Sequence, residues 1–391
     1  MTTRSPRLTP QRAVVAPSRR AVLGAGVLGG IGLAAAGCGL FAGDEKPPPQ
    51  PPNPATRPPE PVIDGDVVIA SWAQYVAPDL LRGFEAEYGV TVVESHFDSM
   101  DGLLGRLRAG NKYDLIFATA PIIDQLRRSG RLHVIDPARL AGFATVTGAY
   151  PYFANPWYDP NATHSMPYTI YKTGFAWRSD VLGDRLGGSW ADLWDERARG
   201  HSYLLADPDE VLGLGALRLG YEVNTAEPDE LSAIVDLLRG LHPLLAADGF
   251  TDDGFAQLLN GAAWLQHSWS ADLARALRNA PVAATFGFEA PGEGSPIGID
   301  VLAIPANAGH PGSGLLFMDY LMRTENARRT VGYLGYQTPV AGTEDAYTGM
   351  VPSAPACVVN PDEVARGPYF VAGDAAAVRR RAEAFAQLNP Q

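Results

Sequence analysis

The sequence predicts an α/β protein of two lobes that face each other across a cleft. Short apolar runs alternate with amphipathic helical patterns from Asp66 onward, the alternation is repeated in the middle of the chain, and the composition is that of a folded soluble protein, 46% hydrophobic and 19% charged. At 391 residues the chain is long enough for two ordinary domains.

The first unit reads as strand "DVVIAS", helix "APDLLRGFEAEYG" with Pro78 near its start and Gly89 as its stop, strand "VTVVESHF", helix "SMDGLLGRLRAG", strand "YDLIFATA" and short helix "IIDQLRRSG". Met100, Leu103, Leu104 and Leu107 fall on one face of the second helix. The second unit runs through strand "TGFAWR", short helix "SWADLWD", strand "HSYLLAD", helix "PDEVLGLGALRLG", the long amphipathic helix "LSAIVDLLRGLHPLL" and strand "AAWLQHSW". Strand "DVLAIPAN" and one helix, "GSGLLFMDYLMRTENARRTVGYLG", follow. Regular succession of strand and helix implies a mainly parallel sheet covered on both faces, and ligands of such sheets lie beyond the carboxyl ends of the strands, at the cleft.

Ahead of this lies an address. Residues 18 to 38 read "SRRAVLGAGVLGGIGLAAAGC", a basic start, a mild apolar stretch from Ala21 to Ala36 and a small-residue end. The stretch is 16 residues with five glycines, too short and weak to span a ~30 Å hydrocarbon core. Arg19-Arg20 resembles a twin-arginine export signal, and Ala35-Ala36-Gly37-Cys38 a bacterial lipobox in which Cys38 is acylated and becomes the first mature residue. Residues 1 to 37 are then the signal, and 38 to 63 the lipidated cysteine with a spacer. Nine prolines between Pro47 and Pro61 favour polyproline II, about 50 Å long at ~3.1 Å per residue. Cys357 is left as a lone thiol, without a disulfide framework.

Charge narrows the partners. Five of the 31 basic residues lie in the first 37 positions, where there is no acid, so the remainder holds 26 basic against 43 acidic residues. So acidic a surface repels nucleic acid and attracts cations. No G-x-S-x-G, H-E-x-x-H or G-x-x-x-x-G-K-[ST] is present, and the seven histidines never fall at metal-ligand spacing. Neither a cofactor, a metal nor catalysis is called for.

What stands out is a set of acids and aromatics at strand ends: Trp72 and Tyr75 after the first strand, Thr119 after the third, Asp207 and Glu210 in "LLADPDEV", Trp269 and Asp272 in "HSWSAD", Asp300 in "PIGIDVLAIPANA" and Tyr336 in "YLGYQTP". A small organic cation is recognised by such groups, carboxylates as counter-charges and ring faces for the ammonium and its methylenes. Helix capping also explains Asp207 and Glu210, with Pro208 at N1, and Ser270 could cap the helix bearing Asp272. Trp72, Tyr75 and Trp269 could be packing alone. Asp300, set between Ile299 and Val301, needs a partner, because an uncompensated buried carboxylate is costly.

Together the stretches "SWAQYVAPDLL", "YDLIFAT", "SWADLWDE", "LADPDEV", "DVLAIPANA" and "GYLGYQTP" resemble the extracytoplasmic substrate-binding proteins of spermidine/putrescine ABC importers, over most of residues 66 to 391. The resemblance implies the two-lobed periplasmic-binding-protein fold of type II, with residues 64–170 and 300–338 in lobe 1 and 171–299 and 339–391 in lobe 2. "SMPYTIYKTG" would be the first crossover, and Gly298 to Asp300 the second. It implies that Trp72, Tyr75 and Thr119 line the cleft from the first lobe, that Glu210, Asp272 and Asp300 are amine counter-charges, that Trp269 packs on methylenes and Tyr336 closes the site, with Asp207 a lesser candidate.

Three departures accompany the resemblance. Ala73-Gln74 stand where a hydroxyl and an acid are common, so Gln74 would replace a charge. Gly298 stands where a large aromatic is common, and Pro121-Ile122 where another aromatic is expected. The replacement at Gln74 leaves the site charged mainly at the other end, which implies a shorter or singly charged amine, or one with a polar far end, with spermidine and putrescine left open. The expectation is a monomeric, non-enzymatic, lipid-anchored binding protein on the outer face of the cytoplasmic membrane, delivering a small cationic amine to permease subunits. The alternatives are a thiamine-like or aminophosphonate ligand on the same fold, or an extracytoplasmic enzyme with an acidic cleft.

Overall fold

A computed structural model describes residues 56–252, 254–279 and 285–388. The expected export signal, Cys38 and the spacer up to Ala55 lie outside the described residues. The described residues fall within one compact unit. Among the described residues no helix is long and apolar enough to cross a membrane.

Nine strands carry the fold: β1 Val67–Ser71, β2 Val92–His96, β3 Leu115–Thr119, β4 Ser165–Arg178, β5 Ser202–Leu205, β6 Leu245–Thr251, β7 Leu265–Trp269, β8 Phe286–Glu289 and β9 Ile297–Ala303. Their order is β2-β1-β3-β9-β4-β7-β5-β6, with β8 beside β4. The expected mainly parallel sheet is corrected. Pairings of β1 with β2 and β3, and of β5 with β6 and β7, are parallel, but β9 runs antiparallel to β3 and β4, and β4 antiparallel to β7 and β8. Strand-helix alternation reveals local crossovers, whereas β9 arrives from a distant part of the chain, and nothing local fixes its direction.

The anticipated crossover "SMPYTIYKTG" and the strand "TGFAWR" are one 14-residue strand, β4, about 46 Å long at ~3.3 Å per residue. Pro167 argues against a strand in sequence; here it sits where the β4–β9 register shifts, a bulge that needs no donor from it. Residues 165–172 pair with β9, and 173–178 with β7 and β8, so β4 links the two halves of the sheet.

Local signals set most helices. Pro78 opens helix Pro78–Tyr88 and Gly89 closes it in the left-handed conformation (φ 70°), burying Leu80 and Phe84. Ser99 caps helix Met100–Arg108, whose Leu103, Leu104 and Leu107 are buried. "SWADLWD" is a 3-10 helix, Trp190–Trp194, closed by a Ser189/Asp192 capping box. The single helix expected after β9 is two, Pro311–Leu321 and Thr324–Leu334. Arg323 is extended between them as the N-cap of the second helix, its guanidinium donates to both carboxylate oxygens of Glu87 at 2.9 Å, and the Asn326 side chain donates to the Tyr320 carbonyl at 2.8 Å.

One core packs Ile69, Phe84, Leu104, Phe117, Leu302 and Phe317 around β1, β3 and β9. The other half of the sheet has two: Phe175, Trp190, Val211 and Ile234 on one face, and Leu273, Phe286, Val331 and Tyr347 on the other. Phe175 and Trp177 belong to the former and Ala176 to the latter, as alternation along β4 requires. Cys357 is buried in the last of these cores, where desolvation pushes its thiol upward, away from the reactive thiolate.

Candidate functional site

The carboxyl end of β1 and the middle of β9 bring the first group together. Asp300 is the cross-strand neighbour of Thr119 on β3 and of Thr169 on β4. Its carboxylate accepts hydrogen bonds from the Tyr75 hydroxyl and, at 2.9 Å, from the Thr169 hydroxyl. Burial raises its pKa to about 6, the two hydroxyl donors opposing the rise. The same desolvation, with the Asp300 charge, pushes the Tyr75 phenol well up. Trp72 packs on Tyr75 at 4.9 Å between ring centres, and Tyr336 approaches Tyr75 edge-on at 6.0 Å.

Gln74 bends the chain between these rings. Its φ of 58° is a left-handed conformation uncommon for a side chain of this size, and the residue is exposed. Thr119, partly buried, ends β3, and Pro121 and Ile122 follow in the first turn of helix Ala120–Arg128.

The second group is built at the start of helix Pro208–Leu219. The exposed Asp207 is its N-cap, accepting from Asp209 N at 2.8 Å and Glu210 N at 3.1 Å, so the capping explanation holds for Asp207. Glu210 does something else. Its side chain is buried, and Oε1 accepts from Trp269 Nε1 at 2.6 Å and the Thr173 hydroxyl at 3.0 Å. Oε2 is also buried but makes no hydrogen bond. Desolvation chiefly, then the Asp207 charge, raises the Glu210 pKa to about 8, so at neutral pH it is largely protonated.

Asp272 is buried in the first turn of helix Ser270–Asn279, and its charge bears on Tyr336 more strongly than that of Asp300. The Ser270 hydroxyl accepts from Lys172 N at 3.3 Å. Asp300 and Glu210 pair with no basic side chain among the described residues.

Three residues join the groups that sequence reasoning did not single out. Thr169, Tyr171 and Thr173 alternate on one face of β4, the first holding Asp300 and the last holding Glu210. Tyr171 stands between them, 5.5 Å from the Tyr336 ring and 6.2 Å from the Trp269 ring. The alternating T-x-Y-x-T was a signal for one face of a strand, but it lay in a segment read as a crossover. An open recess of about 370 Å³ at Leu277, Arg278, Met350 and Ser353 shares no residue with this cluster, and its lining presents no carboxylate.

The geometry is thus a pair of buried carboxylates raised toward neutrality, each held by a threonine of β4 and walled by tyrosine and tryptophan rings. Comparison with known proteins gives it a setting. A family model described as bacterial extracellular solute-binding protein matches residues 79–357. The chain is 32% identical over 274 residues to the spermidine/putrescine-binding periplasmic protein of Escherichia coli K12, an alignment covering 69% of this chain and 76% of the relative. It is 26% identical over 285 residues to a putrescine/cadaverine-binding protein of Pseudomonas aeruginosa, covering 70% and 79%. Among solved structures, the spermidine/putrescine ABC transporter substrate-binding protein PotD of Streptococcus pneumoniae superposes with a TM-score of 0.71 at 24% identity, over 83% of this chain and 98% of that one. A putative spermidine/putrescine ABC transporter protein of Listeria monocytogenes gives 0.73 at 22%, over 83% and 99%. The expected two-lobed fold is that of these neighbours.

Proposed function

The chain belongs to the family of bacterial extracellular solute-binding proteins, and from that premise we propose that it captures a small cationic amine in the cleft and presents it, without catalysis, to an ABC importer. The observation that carries this reading is the pair Asp300 and Glu210. Both are buried, both are pinned by hydroxyls of β4, and neither has a basic partner among the described residues. An ammonium group supplies what each lacks, a positive charge with several N–H donors, and Glu210 Oε2 is an acceptor still unused. Trp72, Tyr75, Trp269 and Tyr336 offer faces to the methylenes and to the charge. Thr119 would add a hydroxyl, Asp272 a further negative field, and Gln74 a neutral polar group at the rim; Asp207 acts on the ligand through Glu210.

The relatives whose names include spermidine, putrescine or cadaverine support an alkyl amine over a thiamine-like or aminophosphonate ligand. Our reading of the N-terminus is export followed by acylation of Cys38, which would tether the binding unit by the proline spacer on the outer face of the cytoplasmic membrane. Closure on the ligand excludes water and strengthens each ion pair.

The test is a thermal-shift panel on the full chain with putrescine, spermidine, a simple monoamine, an amino-alcohol, thiamine and an aminophosphonate. A ligand at 100 times its Kd stabilises by about 2.7 kcal/mol, which raises Tm by several degrees. An amine is expected to give that shift, and a flat response to every amine overturns the reading.

A further inference from the structure

Tyr171 and Gly298 are directly opposite each other in the β4–β9 register. A Cβ placed on Gly298 would lie 2.1 Å from Cε2 and Cζ of Tyr171, so the ring occupies the volume a side chain at 298 would take. Gly298 is two residues before Asp300 and therefore on the same face of β9, the face that carries the carboxylate. Tyr171 is equally on the face of Thr169 and Thr173, whose Cα atoms are separated by four residues, about 13 Å at ~3.3 Å per residue. The charges bearing on its hydroxyl include Asp300, Glu210 and Asp207. The ring therefore stands between the two acidic poles, with Tyr336 and Trp269 set at steep angles of 85° and 71° to it.

We propose that Tyr171 is a specificity-determining residue of the amine site, its ring filling the space over Gly298 between Asp300 and Glu210 and so limiting the length of amine that fits. This rests on the amine reading above. A long methylene chain needs that space, whereas a short amine uses the ring as a wall. Removing the ring opens a slot lined by two small positions, and each further methylene buried there multiplies affinity about fourfold.

Calorimetric titration of the full chain with diamines of four, six and eight carbons tests this on four proteins: wild type, Tyr171→Ala, Tyr171→Leu and Tyr171→Phe. The expected result is that the affinity ratio of the eight-carbon to the four-carbon diamine rises about tenfold or more in Tyr171→Ala and Tyr171→Leu, and stays at the wild-type value in Tyr171→Phe, which keeps the ring. Tyr171→Leu retains an apolar side chain on β4 and provides the readout if the alanine variant does not fold. A ring that only packs against the strand would alter stability or lower all three affinities together, and unchanged ratios overturn the proposal. If wild type binds neither a diamine nor a monoamine, the amine reading fails and this one with it; if it binds a monoamine alone, or binds the diamines with ratios that stay constant across the variants, only this one fails.

Discussion

Lowering the pH from 8 to 6 should weaken binding of an alkyl amine about 100-fold, because the two carboxylates proposed to receive it take up protons in the empty site over that interval. An alkylammonium ligand stays charged throughout that range, since such groups titrate near 10.4. With the amine bound, Asp300 and Glu210 are ionised, so the empty protein must first release the protons it holds. Glu210, raised to about 8, goes from half to about 99% protonated across the interval, a factor of about 50. Asp300, raised to about 6, goes from almost none to half, a factor of about 2. At pH 7 capture of the amine therefore expels about 0.9 of a proton from Glu210. Calorimetry at constant ionic strength in buffers of different ionisation enthalpy reads both the affinity and the proton count. Glu210→Gln keeps an acceptor for Thr173 and Trp269 but has nothing to titrate, so its affinity should vary only about twofold over the same range. It should also bind about 10- to 100-fold more weakly at pH 8, the ordinary worth of a charge-assisted hydrogen bond. A wild-type affinity that changes less than about threefold between pH 8 and 6, or a variant that keeps the full slope, refutes the argument.

Two further outcomes follow from single side chains. His267 is fully buried with neither ring nitrogen hydrogen-bonded, and desolvation lowers its pKa to about 3. Its neutral form is the one that folds, so stability from this group is present above the unfolded value of about 6.5 and lost as pH falls below it, about 2 kcal/mol by pH 5. Denaturant titrations of wild type and His267→Leu should diverge by that amount between pH 8 and 5, and parallel pH profiles would contradict the assignment. Gln74→Glu places a carboxylate at the rim beside Trp72 and Tyr75, and should favour a diamine over a monoamine by about 3- to 10-fold in competition titrations, an unchanged ratio showing that position 74 does not face the ligand.

The ease with which different parts of the molecule were read follows from the range of the interactions that fix them. The helix at "APDLLRGFEAEYG" was legible because proline at its start and a left-handed glycine at its end are local signals. Asp207 as a cap was legible for the same reason. The break at Met322–Arg323 was not, because neither a proline nor a glycine marks it in the sequence. Strand β4 was split in the reading because the resemblance made "SMPYTIYKTG" a crossover, and only its pairing with β9 shows that this segment continues the strand.

By itself the sequence determined the alternating α/β plan, the acidic surface and the identity of the acids and rings at strand ends, since composition and periodicity of 2 or 3.6 residues are properties of neighbouring positions. Only the tertiary structure decided that Asp300 and Glu210 are served by two threonines of one strand, that their pKa values rise to about 6 and about 8, and that Tyr171 lies over Gly298. These depend on desolvation and on contacts between residues more than a hundred positions apart, such as Thr169 with Asp300 and Tyr171 with Gly298, which no local pattern encodes.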